Sequence, residues 1–111
     1  MQLNLLVLRC QNIETSKVFY EKLGLQFEKE QHGKDPIHYS SYVGDMTLEL
    51  YPLKDGYNVE NSRLGFNVEL ENIHAYLTNV GIEIVSEYEF DNKCTVVVID
   101  PDDRKVELVN E

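Results

Sequence analysis

Apolar positions in the first half of the chain change their spacing several times, and each change marks a predicted element. Residues 3–10 are mostly apolar and β-capable, which predicts a strand. After Asn12, a favourable helix N-cap, apolar residues recur at helical spacing as far as Gly24, which predicts a helix that stops there. Three further strands are predicted over residues 25–29, 37–43 and 46–51.

The second half of the chain repeats this order of elements. A strand, a helix ended by Gly81 and further strands are predicted over residues 64–70, 71–80, 82–85 with 87–90, 94–99 and 105–109. An internal repeat of this length constrains the architecture more than any single motif. We therefore predict a single α+β domain over 1–111, with a βαβββ module over 1–52, a linker over 53–63 and a second module over 64–111. Mainly antiparallel, curved sheets should form a cavity.

The Gly44-Asp45 pair predicts a two-residue hairpin turn and so fixes which side chains share a face. Successive strand residues point to opposite faces, so one face of this hairpin is apolar and the other is polar. The polar face carries His38, Ser40, Tyr42, Thr47, Glu49 and Tyr51. Counting by twos along the first strand adds Arg9 to it. Such a face either contacts water or lines a small-molecule site, and the repeat favours the second interpretation.

Charge narrows the classes of partner. Twenty acidic residues against ten basic ones give a formal charge of −10, which disfavours nucleic acid and anionic membranes because phosphate binding needs clustered Lys and Arg. The balance permits a cationic ligand, or reflects only a solvated, self-repelling surface. Residues 1–9 lack a basic segment and a cleavage site, and Cys10 and Cys94 belong to no paired motif, so we expect a cytoplasmic protein with free thiols.

Three segments of the chain resemble the vicinal oxygen chelate superfamily, which includes lactoylglutathione lyase, extradiol dioxygenases and bleomycin resistance proteins. The first runs from Asn12-Ile13-Glu14 to Gly24-Leu25, and the second is Leu48-Glu49-Leu50-Tyr51-Pro52. The third runs from Asp100-Pro101-Asp102-Asp103 to Glu107-Leu108, with Asp103 where a glycine is common. The resemblance implies the glyoxalase-like fold over the whole chain. It leaves the function open, because this fold hosts several chemistries as well as pure binders.

The resemblance also bears on a metal centre. Metal-dependent members take a ligand from the first and last strand of each module, and these positions match Glu49, Glu107, Leu5 and Gly65. Neither Leu5 nor Gly65 can ligate through its side chain, so we expect no cofactor. If a divalent metal binds nonetheless, its ligands should be Glu49, Glu107 and His38. His32, in the loop before His38, could cover the pocket.

Two functions follow as expectations. The first is a metal-free, small-molecule-binding homodimer, like the bleomycin-resistance-like proteins, whose ligand is cationic or aromatic and lies in the cavity of the concave sheet face. Its predicted ligand-binding residues are Arg9, His38, Ser40, Tyr42, Thr47, Glu49, Tyr51 and Glu107. The alternative is a metal-dependent lyase, isomerase or dioxygenase, with Glu49 and His38 as candidate catalytic residues. An accessory domain that only dimerises is a third possibility.

Overall fold

The computed structural model describes residues 1–111 and contains two compact units, Met1–Glu60 and Asn61–Glu111. Each unit combines a four-stranded mixed sheet with one helix, which confirms the predicted α+β class and the repeated βαβββ order. Residues 53–62 lie outside helices and strands. Neither helix has the length and apolar character that crossing a membrane requires.

The first unit carries its helix against one face of its sheet. Its elements are β1 (Leu5–Cys10), α1 (Ile13–Lys22), β2 (Glu28–Glu30), β3 (His38–Val43) and β4 (Met46–Pro52). The strand order is β1-β4-β3-β2, with β1 parallel to β4 and the other pairs antiparallel. The buried apolar residues of this unit are Leu8, Cys10, Phe19, Tyr20, Tyr39, Leu48 and Leu50. The face opposite the helix is called here the open face of the first sheet.

The second unit repeats this topology. Its elements are β5 (Arg63–Val68), α2 (Ile73–Val80), β6 (Ser86–Phe90), β7 (Lys93–Ile99) and β8 (Lys105–Asn110). The strand order is β5-β8-β7-β6, again with one parallel pair. The buried apolar residues of this unit are Leu64, Ile73, Leu77, Val96, Val97, Val98, Val106 and Leu108.

The predicted hairpin register is confirmed. Ser40 pairs with Glu49, and Tyr42 pairs with Thr47, across the turn at Gly44-Asp45. On the other face of the same strands, Leu48 and Leu50 are buried under the helix, as the alternation predicts. This register places the candidate site residues of β3 and β4 on one surface.

The start of β2 and of β6 differs from the prediction. Residues 25–27 and 82–85 are not strand, because the chain leaving each helix stays hydrogen-bonded to the helix end. The N–H of Leu25 donates to the carbonyl of Tyr20 at 3.2 Å, and the N–H of Ile82 donates to that of Leu77 at 2.9 Å. These bonds are Schellman closures, built on positive φ at the glycine that follows each helix.

The start of α2 also differs from the prediction. The helix begins at Ile73 rather than at residue 71. Asn72 is the N-cap, and its side-chain oxygen accepts a hydrogen bond from the N–H of Ala75 at 3.0 Å.

The turn between β7 and β8 holds a buried ionic cluster. The side chains of Asp100 and Arg104 are both 0% exposed, and the Arg104 Nη1 donates to the Asp100 Oδ2 at 3.0 Å. The Asp100 Oδ1 accepts from the backbone N–H groups of Asp102 and Arg104 at 2.8 and 3.0 Å. Asp102 lies 3.5 Å from the same guanidinium nitrogen. The cluster closes the turn of the second unit.

Candidate functional site

A row of polar and aromatic side chains crosses the open face of the first sheet from edge to edge. Register pairs Arg9 with Tyr51 and Glu30 with His38, and His38 lies one step beyond the last pair of β3 and β4. The guanidinium of Arg9 lies 5.0 Å from the Tyr51 ring centroid. The Tyr51 and His38 rings stack at 4.1 Å with planes 9° apart. The row therefore joins a cation, two rings and a carboxylate.

His38 lies on the open face and yet is 0% exposed. Tyr51 covers one side of its ring, and the His32 ring lies 5.3 Å away, centroid to centroid. The loop over residues 31–37 also supplies the Pro36 carbonyl, 3.2 Å from the His38 Nδ1. The loop thus encloses the imidazole, and the expectation that His32 covers a ligand pocket stays a prediction.

The two ring nitrogens of His38 have different surroundings. A carbonyl oxygen only accepts, so the Nδ1 carries a proton that it donates to Pro36. The Nε2 lies 3.3 Å from the Glu30 Oε1, 3.6 Å from the Glu49 Oε2 and 3.4 Å from the Tyr51 hydroxyl. Ionised carboxylates also only accept, so a neutral Nε2 can pair only with the Tyr51 hydroxyl, whereas a proton or a cation at this nitrogen would engage both carboxylates. The two carboxylates make this nitrogen a favourable position for a positive charge.

Tyr51 is the neutral member of this arrangement. Burial raises the pKa of its hydroxyl, and the negative charge of Glu49 adds to this, while the Arg9 guanidinium acts in the opposite direction. The phenol therefore stays protonated at neutral pH. It serves as a hydrogen-bond donor and as a stacking surface.

A shallow depression of about 420 Å³ lies beside this row. Leu5 and Val7 provide apolar surface in it, because they share the face of Arg9 on β1. Charged side chains of both signs also line the depression: Arg9, Asp35, Glu49 and Lys54. The Glu49 side chain is 17% exposed, and its carboxylate lies 3.6 Å from the His38 Nε2, so it is partly enclosed and still reachable. Apolar surface with a few charged groups is what a small organic ligand needs.

The predicted ligand residues of the first unit are divided between two depressions. Arg9, Glu49 and Tyr51 line the first one. Ser40 and Tyr42 line a second one of about 410 Å³, together with Glu28 and Glu30. Thr47 is half-buried on the same face, opposite Leu5 on β1.

Sequence reasoning missed Glu30, Asp35 and Lys54. Asp35 and Lys54 lie in segments without periodicity, so no sequence pattern predicted which way they point. Glu30 had one usable signal, since it is the carboxylate at the end of the strand that precedes the His38 hairpin. Its use depends on the pairing of β2 with β3 across a loop.

Glu107, the candidate of the second unit, is engaged by its own neighbours. The Arg63 Nη2 lies 2.7 Å from the Glu107 Oε1, and the Tyr88 hydroxyl donates to the same oxygen at 2.9 Å. This hydrogen bond is the main reason that the pKa of Tyr88 is raised, with burial and the Glu107 charge adding to it. The expectation that Glu107 and Glu49 line one cavity stays a prediction.

Solved structures with this architecture match nearly the whole chain. A glyoxalase family protein from Enterococcus faecalis has a TM-score of 0.74 and 27% identity, covering 98% of this chain and 97% of that one. A lactoylglutathione lyase from Agrobacterium tumefaciens has a TM-score of 0.69 and 14% identity, covering 98% and 92%. This chain has the vicinal oxygen chelate fold. An integron cassette protein from Vibrio cholerae, at 20% identity and a TM-score of 0.71 over 99% and 94% of the two chains, shares it. No protein-family model and no curated protein matches the sequence.

The metal arrangement that the vicinal oxygen chelate fold implies does not fit the residues of this chain. Val7 lies opposite Glu49 in the register, and Gly65 lies opposite Glu107. Neither these two residues nor Leu5 offers a side-chain ligand atom, and Arg63 already neutralises the Glu107 carboxylate. Two carboxylates without imidazole are a poor donor set for a transition metal. These positions therefore lack the donor set that such a metal centre needs.

Proposed function

We propose that this protein binds a small organic molecule in the depression beside Leu5, Val7 and Glu49. The supporting observation is the combination of exposed apolar surface with a partly buried carboxylate. Leu5 is 45% exposed on the open face, and Glu49 stands beside Val7 with its carboxylate near His38. An apolar body placed on the two aliphatic side chains puts a polar group of the ligand within reach of Glu49.

The preferred ligand is an aromatic or aliphatic amine. Glu49 and Asp35 offer two carboxylates, and the whole chain carries a formal charge of −10, so the field favours a cation. The ring of Tyr51 is already stacked on His38 and covered by Arg9, so it offers no free face to a ligand. The ligand amine is therefore placed at Glu49 and the apolar body at Leu5 and Val7.

A matched series of fluorescent aromatic probes tests this proposal. The series contains an amine, a carboxylate and a neutral compound on the same ring system. The chain has no Trp, so probe fluorescence excited beyond the tyrosine band is read without interference from the protein. We expect saturable binding of the amine, measured with EDTA present so that no metal contributes, and weaker binding of the other two.

Two variants with the same charge change locate the binding. Glu49→Gln removes the carboxylate of the depression, and Asp45→Asn removes an exposed carboxylate in the hairpin turn. Losing a charge-assisted hydrogen bond worth about 1.5–3 kcal/mol should weaken amine binding by about 10-fold or more in Glu49→Gln only. Equal weakening in both variants, or no binding of any probe by the wild type, would overturn the proposal.

The homodimer remains part of the proposal. It is supported by β6, an edge strand on which all residues are exposed, including Tyr88 and Phe90. Exposed edge strands with aromatic side chains are favourable surfaces for pairing with another chain. Light scattering on the eluting protein measures the mass directly. A mass of 12.9 kDa at all concentrations would contradict the dimer.

Catalysis by Glu49 and His38 is the second candidate function, after ligand binding. His38 is enclosed by the loop over 31–37, so a substrate reaches its Nε2 only after that loop moves. The binding proposal needs no such movement.

A further inference from the structure

We propose that Glu30, His32 and His38 form a binding site for one divalent transition-metal ion, for which Zn²⁺ is the natural probe. The three residues come from β2, the following loop and the start of β3. One ligand atom from each lies within 4.8 Å of the other two. The site uses none of the first-strand positions that the fold implies, and the proposal does not depend on the function proposed above.

The spacing of these atoms suits coordination. Ligand atoms about 2.1 Å from a tetrahedral ion lie about 3.4 Å from one another. The His38 Nε2 and the Glu30 Oε1 are 3.3 Å apart, and the His32 Nε2 is 3.9 Å from the same oxygen. The His32 side chain is largely exposed, so it has room to turn its ring nitrogen toward this distance.

The orientation of His38 is already that of a metal ligand. Histidine ligands usually donate their second ring N–H to a carbonyl or carboxylate, which fixes the tautomer and aims the lone pair at the ion. The His38 Nδ1 makes this bond to Pro36, and Tyr51 stacks on the ring and restricts its rotation. The Nε2 is therefore presented to Glu30 and His32 by the surrounding structure.

The charge around the site also favours a cation. Glu30 and Glu49 both direct carboxylate oxygens at the His38 Nε2, at 3.3 and 3.6 Å. A proton on this nitrogen would satisfy one of the two carboxylates well, whereas a divalent ion would satisfy both. Two imidazoles and a carboxylate form a donor set typical of zinc, with the fourth position left for water or a ligand atom.

The location gives such an ion a structural consequence. Glu30 lines the second depression, whereas Glu49, the neighbour of His38, lines the first. An ion bound by His32 would tie the loop over 31–37 to the open face between the two depressions. Metal binding should therefore slow amide hydrogen exchange in that loop.

Calorimetric titration of the EDTA-treated, dialysed full-length protein with Zn²⁺ tests the proposal. We expect saturation at one ion per chain. Loss of a residue that only orients a metal ligand often weakens metal binding about 10- to 100-fold, so removing a ligand itself in Glu30→Gln or His32→Ala should weaken it at least about 10-fold. Both residues are at least partly exposed, so these variants should fold, whereas a substitution of the buried His38 would also remove its stacking with Tyr51.

The control is a histidine–glutamate pair outside the cluster. His74 and Glu87 lie 2.6 Å apart on the surface of the second unit, and both are about half exposed. His74→Ala should leave the affinity for Zn²⁺ unchanged. No saturable binding, an unchanged affinity in both Glu30→Gln and His32→Ala, or an equal loss in His74→Ala would each overturn the proposal.

Discussion

The ionic cluster in the turn between β7 and β8 allows a direct test of how much a buried ion pair contributes to the stability of the fold. In Asp100→Asn the remaining side-chain oxygen can still accept from the backbone N–H groups of Asp102 and Arg104. The amide group then replaces the oxygen that accepts from the Arg104 guanidinium at 3.0 Å. Because the guanidinium is fully buried, water cannot replace the lost partner. The variant leaves a buried charge facing a hydrogen-bond donor.

The contacts of the Arg104 guanidinium set bounds on the stability that Asp100→Asn should lose. Removing one partner of a buried ion pair typically costs about 3–5 kcal/mol. Asp102 lies 3.5 Å from the same guanidinium nitrogen and offsets part of the loss, so we expect about 3 kcal/mol. This is a large share of the roughly 5–15 kcal/mol by which domains are stable.

Urea unfolding followed by circular dichroism at neutral pH measures this loss. Asp103→Asn is the matched control, because it removes one negative charge from the same turn at an exposed position with φ of 67°. Asparagine tolerates this left-handed conformation, so the control should change the free energy of unfolding by less than about 0.5 kcal/mol. The argument would be refuted if Asp100→Asn lowered the free energy of unfolding by less than about 1 kcal/mol while its dependence on urea concentration stayed unchanged.

Two further predictions concern single hydroxyl groups. The hydrogen bond to Glu107 raises the pKa of Tyr88, so this bond stabilises the fold fully below pH 10.0 and is lost as pH rises through the higher folded-state pKa. Ultraviolet titration should show one phenol moving back toward its ordinary pKa in Glu107→Gln but not in Glu89→Gln. The hydroxyl of Ser41 is buried without a hydrogen-bond partner, so Ser41→Ala should raise the free energy of unfolding by about 1 kcal/mol. Urea unfolding measures it against Ser40→Ala, and a destabilised Ser41→Ala would contradict the reasoning.

Part of the candidate site could be predicted from the local sequence pattern alone. The turn at Gly44-Asp45 fixes the register of β3 and β4, because a two-residue turn admits few strand alignments. The placement of Glu49 beside Ser40, and of Leu48 on the buried face, follows from that register alone. These are contacts between residues joined by a short, conformationally defined connection.

The surroundings of His38 could not be predicted from the local sequence pattern. The sequence placed His38 on the polar face, where a strand histidine is ordinarily exposed. In the structure it is buried, because Tyr51 stacks on it and the loop carrying His32 folds over it. The path of a seven-residue loop depends on contacts that no periodicity encodes. The role of Glu30 was hidden for the same reason.

The sequence by itself determined the repeated βαβββ order, the N-cap at Asn12, the helix stops at Gly24 and Gly81, and the hairpin register, because spacing, capping residues and turn chemistry act over a few neighbouring residues. It also determined that the first-strand positions lack metal ligands. Only the tertiary structure decided that Arg9, Tyr51, His38 and Glu30 form one row across four strands. It also decided that Glu107 is held by Arg63 and Tyr88 within the second unit. These contacts join residues far apart in the chain, and their geometry is set by packing and strand pairing as a whole.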